Sequence, residues 1–159
     1  MEDYERTGVL KPSDIQMPSE KYLKKGVAIV ECVQEIPCNP CVDICPVQAI
    51  SMENINALPI VNFEKCIGCT KCVAICPGLA IFVVKINGER GFLTLPYEFL
   101  PIPKEGEEVK IFNREGKEIG KGMVRKVKKA EDTYVITVET EKKCAIEGRH
   151  IGVENDYNL

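Results

Sequence analysis

Apolar positions along the chain change texture near its middle. Between residues 26 and 84 they come as short runs separated by cysteines: GVAIVECV (Gly26 to Val33), CVDICPVQAI (Cys41 to Ile50), LPIVNF ahead of Cys66, and GLAIFVV (Gly78 to Val84). The β-branched run after Gly26 predicts a strand leading into the first cysteines, and Pro59 to Phe63 predicts another leading into the second group. From Ile86 onward apolar and polar residues alternate in GFLTL, EEVKIFN, EIGKGMVRKV and DTYVITVET, broken by NGERG, PIPKEGE, NREGKE and KKAED. Alternation interrupted roughly every eight to twelve residues predicts a small antiparallel β-barrel or sandwich. Residues 1–25 are polar and carry Pro12 and Pro18. They read as an arm with one helical turn after Ser19, packed on a neighbouring element.

The cysteine-bearing runs contain an internal repeat. CVDICPVQAI at Cys41 to Ile50 matches CVAICPGLAI at Cys72 to Ile81 at an offset of 31 residues, with seven of ten positions identical. Such self-similarity implies two copies of one supersecondary unit related by an approximate two-fold axis. The expected organisation is α+β: an arm (1–25), a cysteine-rich domain (26–84) and a small β-rich domain (85–159).

Composition narrows the chemistry. A chain of 159 residues divided this way leaves each core small, so cross-links or metal should add to apolar burial. The net charge of -3 offers no broad attraction to phosphate backbones, which argues against nucleic acid. No apolar run approaches the roughly 20 residues that span a bilayer, and MEDYER lacks the basic start of an export signal, so a cytoplasmic protein without a membrane span is expected. Eight of the nine cysteines lie between Cys32 and Cys76, most of them two or three residues from the next. Bridges close poorly across such short loops, whereas metal ligands suit them, and thiols in a reducing compartment more often bind metal.

The second group reads Cys66-Ile-Gly-Cys69-Thr-Lys-Cys72-Val-Ala-Ile-Cys76-Pro77, the spacing C-x2-C-x2-C-x3-C-P. Three thiolates so spaced wrap one face of an iron-sulfur cubane while the fourth reaches another cluster. In the first group Cys38, Cys41 and Cys45-Pro46 stand at the corresponding positions, but Glu35 occupies the place of the leading cysteine. Cys32, three residues before it, supplies the missing thiolate in the preferred reading. A site with three cysteines, or with Glu35 as an oxygen ligand, stays open as the alternative. Zinc is disfavoured because its structural sites usually take two well-separated cysteine pairs.

Over Gly26 to Val84 these motifs resemble the two-cluster bacterial-type ferredoxins. The resemblance implies a ferredoxin-like fold for this part, two 4Fe-4S clusters and one-electron transfer. It also implies one cluster on Cys66, Cys69, Cys72 and Cys45, and the other on Cys32, Cys38, Cys41 and Cys76. The EIPCNPC loop resembles those of small ferredoxin-like proteins that accompany multi-subunit flavin-containing dehydrogenases. That likeness implies redox partner proteins, flavoprotein subunits among them, and a role as the iron-sulfur subunit of a larger oxidoreductase. A free soluble ferredoxin, and an enzyme whose incompletely ligated first site binds substrate, are the alternatives.

Cys144 and His150 stand outside any motif and read as packing residues. The run Arg125-Lys126-Val127-Lys128-Lys129 reads as a solvated turn at a strand end rather than a docking patch. No nucleophile-base pair, phosphate loop or dinucleotide fingerprint occurs, so no catalytic residue is expected.

Overall fold

A computed structural model describes residues 1–153. Helix α1 (Asp3–Thr7) and a 3-10 turn at Pro12–Asp14 form the arm, and α2 (Glu20–Lys25) begins after Ser19 as the sequence predicts. Strand β1 (Val27–Val30) leads into the first cysteines, α3 (Pro40–Ile44), β2 (Ile50–Ser51), β3 (Ile60–Val61) and α4 (Lys71–Ile75). The remainder comprises β4 (Ile81–Asn87), β5 (Arg90–Tyr97), β6 (Glu108–Asn113), β7 (Glu118–Ala130), β8 (Thr133–Glu141), α5 (Lys142–Glu147) and β9 (Gly148–Val153).

Seven strands form one antiparallel sheet in the order β1-β4-β5-β8-β7-β6-β9, and β2 pairs with β3 apart from it. Tight reversals fix its register. Gly88, at φ 62°, turns β4 into β5 so that Asn87 faces Arg90, and Glu131, at φ 55°, turns β7 into β8 so that Ala130 faces Thr133. The Asn113 side chain accepts from the backbone N–H groups of Glu115 and Lys117 and shapes the β6–β7 turn.

Strand β4 separates two interiors. Phe82, Val84 and Ile86 join Ile29, Leu93, Leu95, Val109, Ile111, Ile136 and Ile151 in the larger core. Ile81 and Val83 point the other way, into a smaller core with Val30, Ala49, Ile50, Val61, Val73 and the thiols of Cys66 and Cys72. The alternation is the two-residue period of a strand whose faces are both buried. Helix α5 closes one end of the larger core with Ala145. It sits so close to β5 that a Cβ on Gly91 would come within 2.5 Å of the Ala145 methyl.

Among the described residues the sheet does not close into the barrel allowed by the sequence pattern. There β1 and β9 are both edges of the sheet, with no backbone ladder between them. The ends are instead tied by side chains. Glu31, directly after β1, accepts from Arg114 beside β6 and from Arg149 Nε of β9, the latter at 2.8 Å. The arm is fastened by polar contacts. Gln16 pairs through its amide with both the N–H and C=O of Val61, at 2.9 and 2.7 Å, acting as a surrogate strand beside β3. Lys25 donates to the carbonyls of Phe63 and Glu64 just ahead of Cys66.

The basic residues Arg125 to Lys129 lie along β7 rather than in a turn, and Arg125 pairs with Glu139 at 2.9 Å. Cys144 is buried in α5. His150 packs among Tyr97, Phe99 and Phe112, and its burial lowers its pKa from 6.5. Among the described residues no helix is long and apolar enough to cross a membrane.

Candidate metal centre

The two repeats fold alike down to single residues. Cys41 and Cys72 each occupy the second position of a five-residue helix, α3 and α4. Cys45 and Cys76 stand at the C-caps with nearly identical backbone angles, φ -67° ψ 113° and φ -66° ψ 114°. Pro46 and Pro77 follow and stop each helix. Three residues past each C-cap, Gln48 and Leu79 both adopt φ 53°. That left-handed step turns the chain back so that the N–H of Ala49 donates to Cys45 Sγ at 3.2 Å, and the N–H of Ala80 to Cys76 Sγ at 3.5 Å.

The leading loops differ. In the second repeat Gly68 takes φ 64°, and a Cβ there would meet the carbonyl oxygen of Gly26 at 2.8 Å, so the C-I-G-C turn requires glycine. The close approach places β1 beside the loop, where the N–H of Ala28 donates to Cys66 Sγ at 3.3 Å. In the first repeat the longer segment from Cys32 to Cys38 takes the place of this turn. Its backbone is held where the N–H of Cys38 donates to Ile55 O at 3.1 Å.

These features surround two cavities. One is walled by Cys66, Cys69, Cys72 and Cys45 together with Ala28, Val47, Ile50 and Val83. The other is walled by Cys32, Cys38, Cys41 and Cys76 with Val30, Ile36, Pro59 and Ile81. Each takes three cysteines from one stretch of chain and one from the other. Glu35 is exposed and lines the broad open groove outside the Cys32 cavity. Cys32 stands in both that groove and the cavity wall.

The electrostatics suit a cationic guest. Burial, followed by the neighbouring Cys66 and Cys69, pushes the Cys72 thiol up to about 12, and burial with Cys76 raises Cys41 to about 11. Burial also raises Cys32. Cys45 is the exception: burial pushes it up, but backbone N–H groups of Ala49, Val47, Ile50 and Gln48 outweigh that and hold it below its ordinary value. Crowded thiols in apolar walls ionise only when positive charge arrives to share their sulfurs, so metal uptake would release protons. Among the described residues no three His, Cys, Asp or Glu side chains close on a single-ion site. The cysteines line two cavities, an arrangement open to a multi-atom cluster, and amide N–H groups aimed at sulfur are a means of tuning one. The donor set therefore fits iron and sulfide.

A family model described as the LdpA Fe-S cluster-binding domain matches residues 32–86, a stretch containing all eight of these cysteines. No curated protein and no solved structure matches the chain. The class is thereby given: this is an iron-sulfur protein. Its cysteine-rich part is similar to that Fe-S cluster-binding domain.

Sequence reasoning missed the Glu31, Arg114 and Arg149 group beside Cys32. Arg114 and Arg149 lie 83 and 118 residues from Glu31. The only local signal is a carboxylate ending an otherwise apolar strand.

Proposed function

We propose that the protein transfers single electrons through two 4Fe-4S clusters carried by residues 26–84. The observation that carries this reading is the exchange of Cys45 and Cys76 between two four-cysteine cavities. That exchange is what a two-cluster ferredoxin-type arrangement needs, since the final cysteine of each motif ligates the neighbouring cluster. In this reading Cys66, Cys69, Cys72 and Cys45 hold one cluster, and Cys32, Cys38, Cys41 and Cys76 the other. Bound there, each cluster supplies a reversible one-electron couple. The chain's own part is to hold the thiolates, direct the amides of Ala28, Ala49 and Ala80 at sulfur, and exclude water with Val30, Ile81 and Val83.

Apolar side chains left exposed around the cavities, among them Ile36, Ile55, Leu58, Ile60, Ile67 and Ile75, favour docking against another redox protein. The arm (1–25) and the β-rich part (85–159) are more than a free carrier needs. Both favour a fixed iron-sulfur subunit whose partner is a flavoprotein. Native complexes should then contain flavin on a second chain, and recovery of the native protein alone from extracts would argue for a free carrier.

The deciding experiment is iron and acid-labile sulfide per chain after anaerobic purification, with electron paramagnetic resonance of the dithionite-reduced protein. About eight of each, with spectra of two interacting clusters, is expected. About four of each would reduce the reading to one cluster, and zinc without sulfide would sink it. Alkylation of the holoprotein tests Cys32 separately. A protected Cys32 places its sulfur on iron, and a modified one returns Glu35 to consideration.

A further inference from the structure

Glu31, Arg114 and Arg149 form a buried charged group with side-chain exposures of 7%, 12% and 6%. Two guanidinium groups face one carboxylate, so the group carries one excess positive charge. Arg149 also donates to the Gly148 carbonyl and lies 5.0 Å over the Phe82 ring, and burial lowers its pKa only to about 10, leaving it charged at neutral pH. Arg114 and Arg149 each keep one buried Nη2 without a partner, so the excess charge is not cancelled locally. The carboxylates around the group, Asp3, Glu115 and Glu147 on one open hollow and the exposed Glu5 and Glu35 on the groove beside Cys32, face water and salt that screen them.

This charge stands beside one cavity and not the other. Glu31 immediately precedes Cys32, and its backbone N–H donates to Ala80 O at 2.7 Å, while the N–H of Ala80 donates to Cys76 Sγ. Cys32 and Cys76 both wall the first site. Neither cavity has a charged side chain in its own wall, and Lys25 and Lys85 beside the Cys66 site are exposed on an open hollow where water and salt screen them, whereas the Glu31 group is buried. Charge in a desolvated setting acts over longer distances than on a surface, and each reduction adds one negative charge to a cluster.

Resting on the two-cluster reading above, we infer that the buried Glu31, Arg114 and Arg149 group raises the reduction potential of the Cys32 site above that of the Cys66 site, giving the relay a direction. Electrons would rest on the Cys32 side, next to the groove bordered by Glu31, Gln34 and Ile36. The three side chains are positioning residues acting through charge and touch no reacting atom.

The test is a potentiometric titration of the holoprotein followed by electron paramagnetic resonance, comparing Arg114→Gln, Arg114→Lys and Glu31→Gln with the parent. Arg114→Gln removes a positive charge and should lower the higher of the two midpoints. A tenfold change in the ratio of reduced to oxidised cluster is expected, which is 59 mV for a one-electron couple. Arg114→Lys should leave it in place. Glu31→Gln should move the same midpoint upward, a reversal of sign that general loosening of the fold does not produce. If Glu31→Gln does not fold, the Gln and Lys variants of Arg114 decide alone. An unmoved higher midpoint, a shift confined to the lower one, or equal shifts for Gln and Lys would overturn the inference. A parent protein without two titrating clusters would overturn the two-cluster reading beneath it, a result visible before any variant is made.

Discussion

On one face of β4, Phe82, Val84 and Ile86 meet an interior built by six further strands. On the other, Ile81 and Val83 meet thiols and a few small aliphatic groups. The first side has strands of up to thirteen residues, and its central Leu93, Leu95, Ile111 and Ile136 are wholly out of water. The second has helices of five residues and strands of two. Helices that short are not stable in isolation, and a two-stranded ribbon of two residues adds little. Secondary structure in the cysteine half therefore depends on outside support. Strands β1 and β4 supply it from the sheet, the arm supplies it through Gln16 and Lys25, and bound clusters would supply the rest.

Removing the cluster iron should have the largest effect, because metal ligation is worth on the order of 10 kcal/mol in small metal-folded domains. After anaerobic chelation, hydrogen exchange should lose protection across residues 38–76 while β5, β7 and β8 stay protected. Uniform loss would mean that the halves do not differ in this way. Next in size, Ile136→Ala opens a void in the larger core and should cost about 2–5 kcal/mol in chemical denaturation, with iron per chain unchanged. Gly68→Ala attacks the other side. Its positive φ and the nearby Gly26 carbonyl predict a loss of about 1–3 kcal/mol, seen as weaker iron retention at the Cys66 site with the sheet's near-ultraviolet signal intact. The smallest effect concerns His150, whose folded pKa lies below its ordinary 6.5. As pH falls through that value the unfolded chain takes up the proton first, so stability is lost on acidification. His150→Gln should flatten this part of the profile when denaturation midpoints are compared on either side of about pH 6.5.

Sequence reached some of these features and not others for definable reasons. Strands β5 to β8 were legible because their inward positions, such as Val109 and Ile111 or Ile136 and Val138, sit in alternating runs between turn residues. Helices α3 and α4 are too short for any periodic signal, yet the 31-residue repeat marks them as equivalent. Helix α5 and strand β9 carry no such signal. KKCAIE is barely more than one turn, and GRHIGV offers Ile151 as its one large aliphatic residue committed wholly to the core. Whether the sheet closes is not a property of any strand's pattern. It depends on how β1 and β9 approach, and there Glu31 and two arginines stand where a backbone ladder would have made a barrel. Within the candidate site, cysteine spacing is local and readable. The N–H groups of Ala28, Ala49 and Ala80 are invisible in sequence because every residue has one, and only folding aims them at sulfur.

The shared strand also bears on how a cell would handle the chain before iron reaches it. If the larger core assembles first, β4 is already in place with Ile81 and Val83 turned outward, and β1 adds Val30 beside them. A newly made, metal-free copy would then display a greasy sheet face of the kind that chaperones and proteases survey. Loading of the clusters would conceal it, so the amount of protein surviving in the cell would follow iron supply with no dedicated sensor.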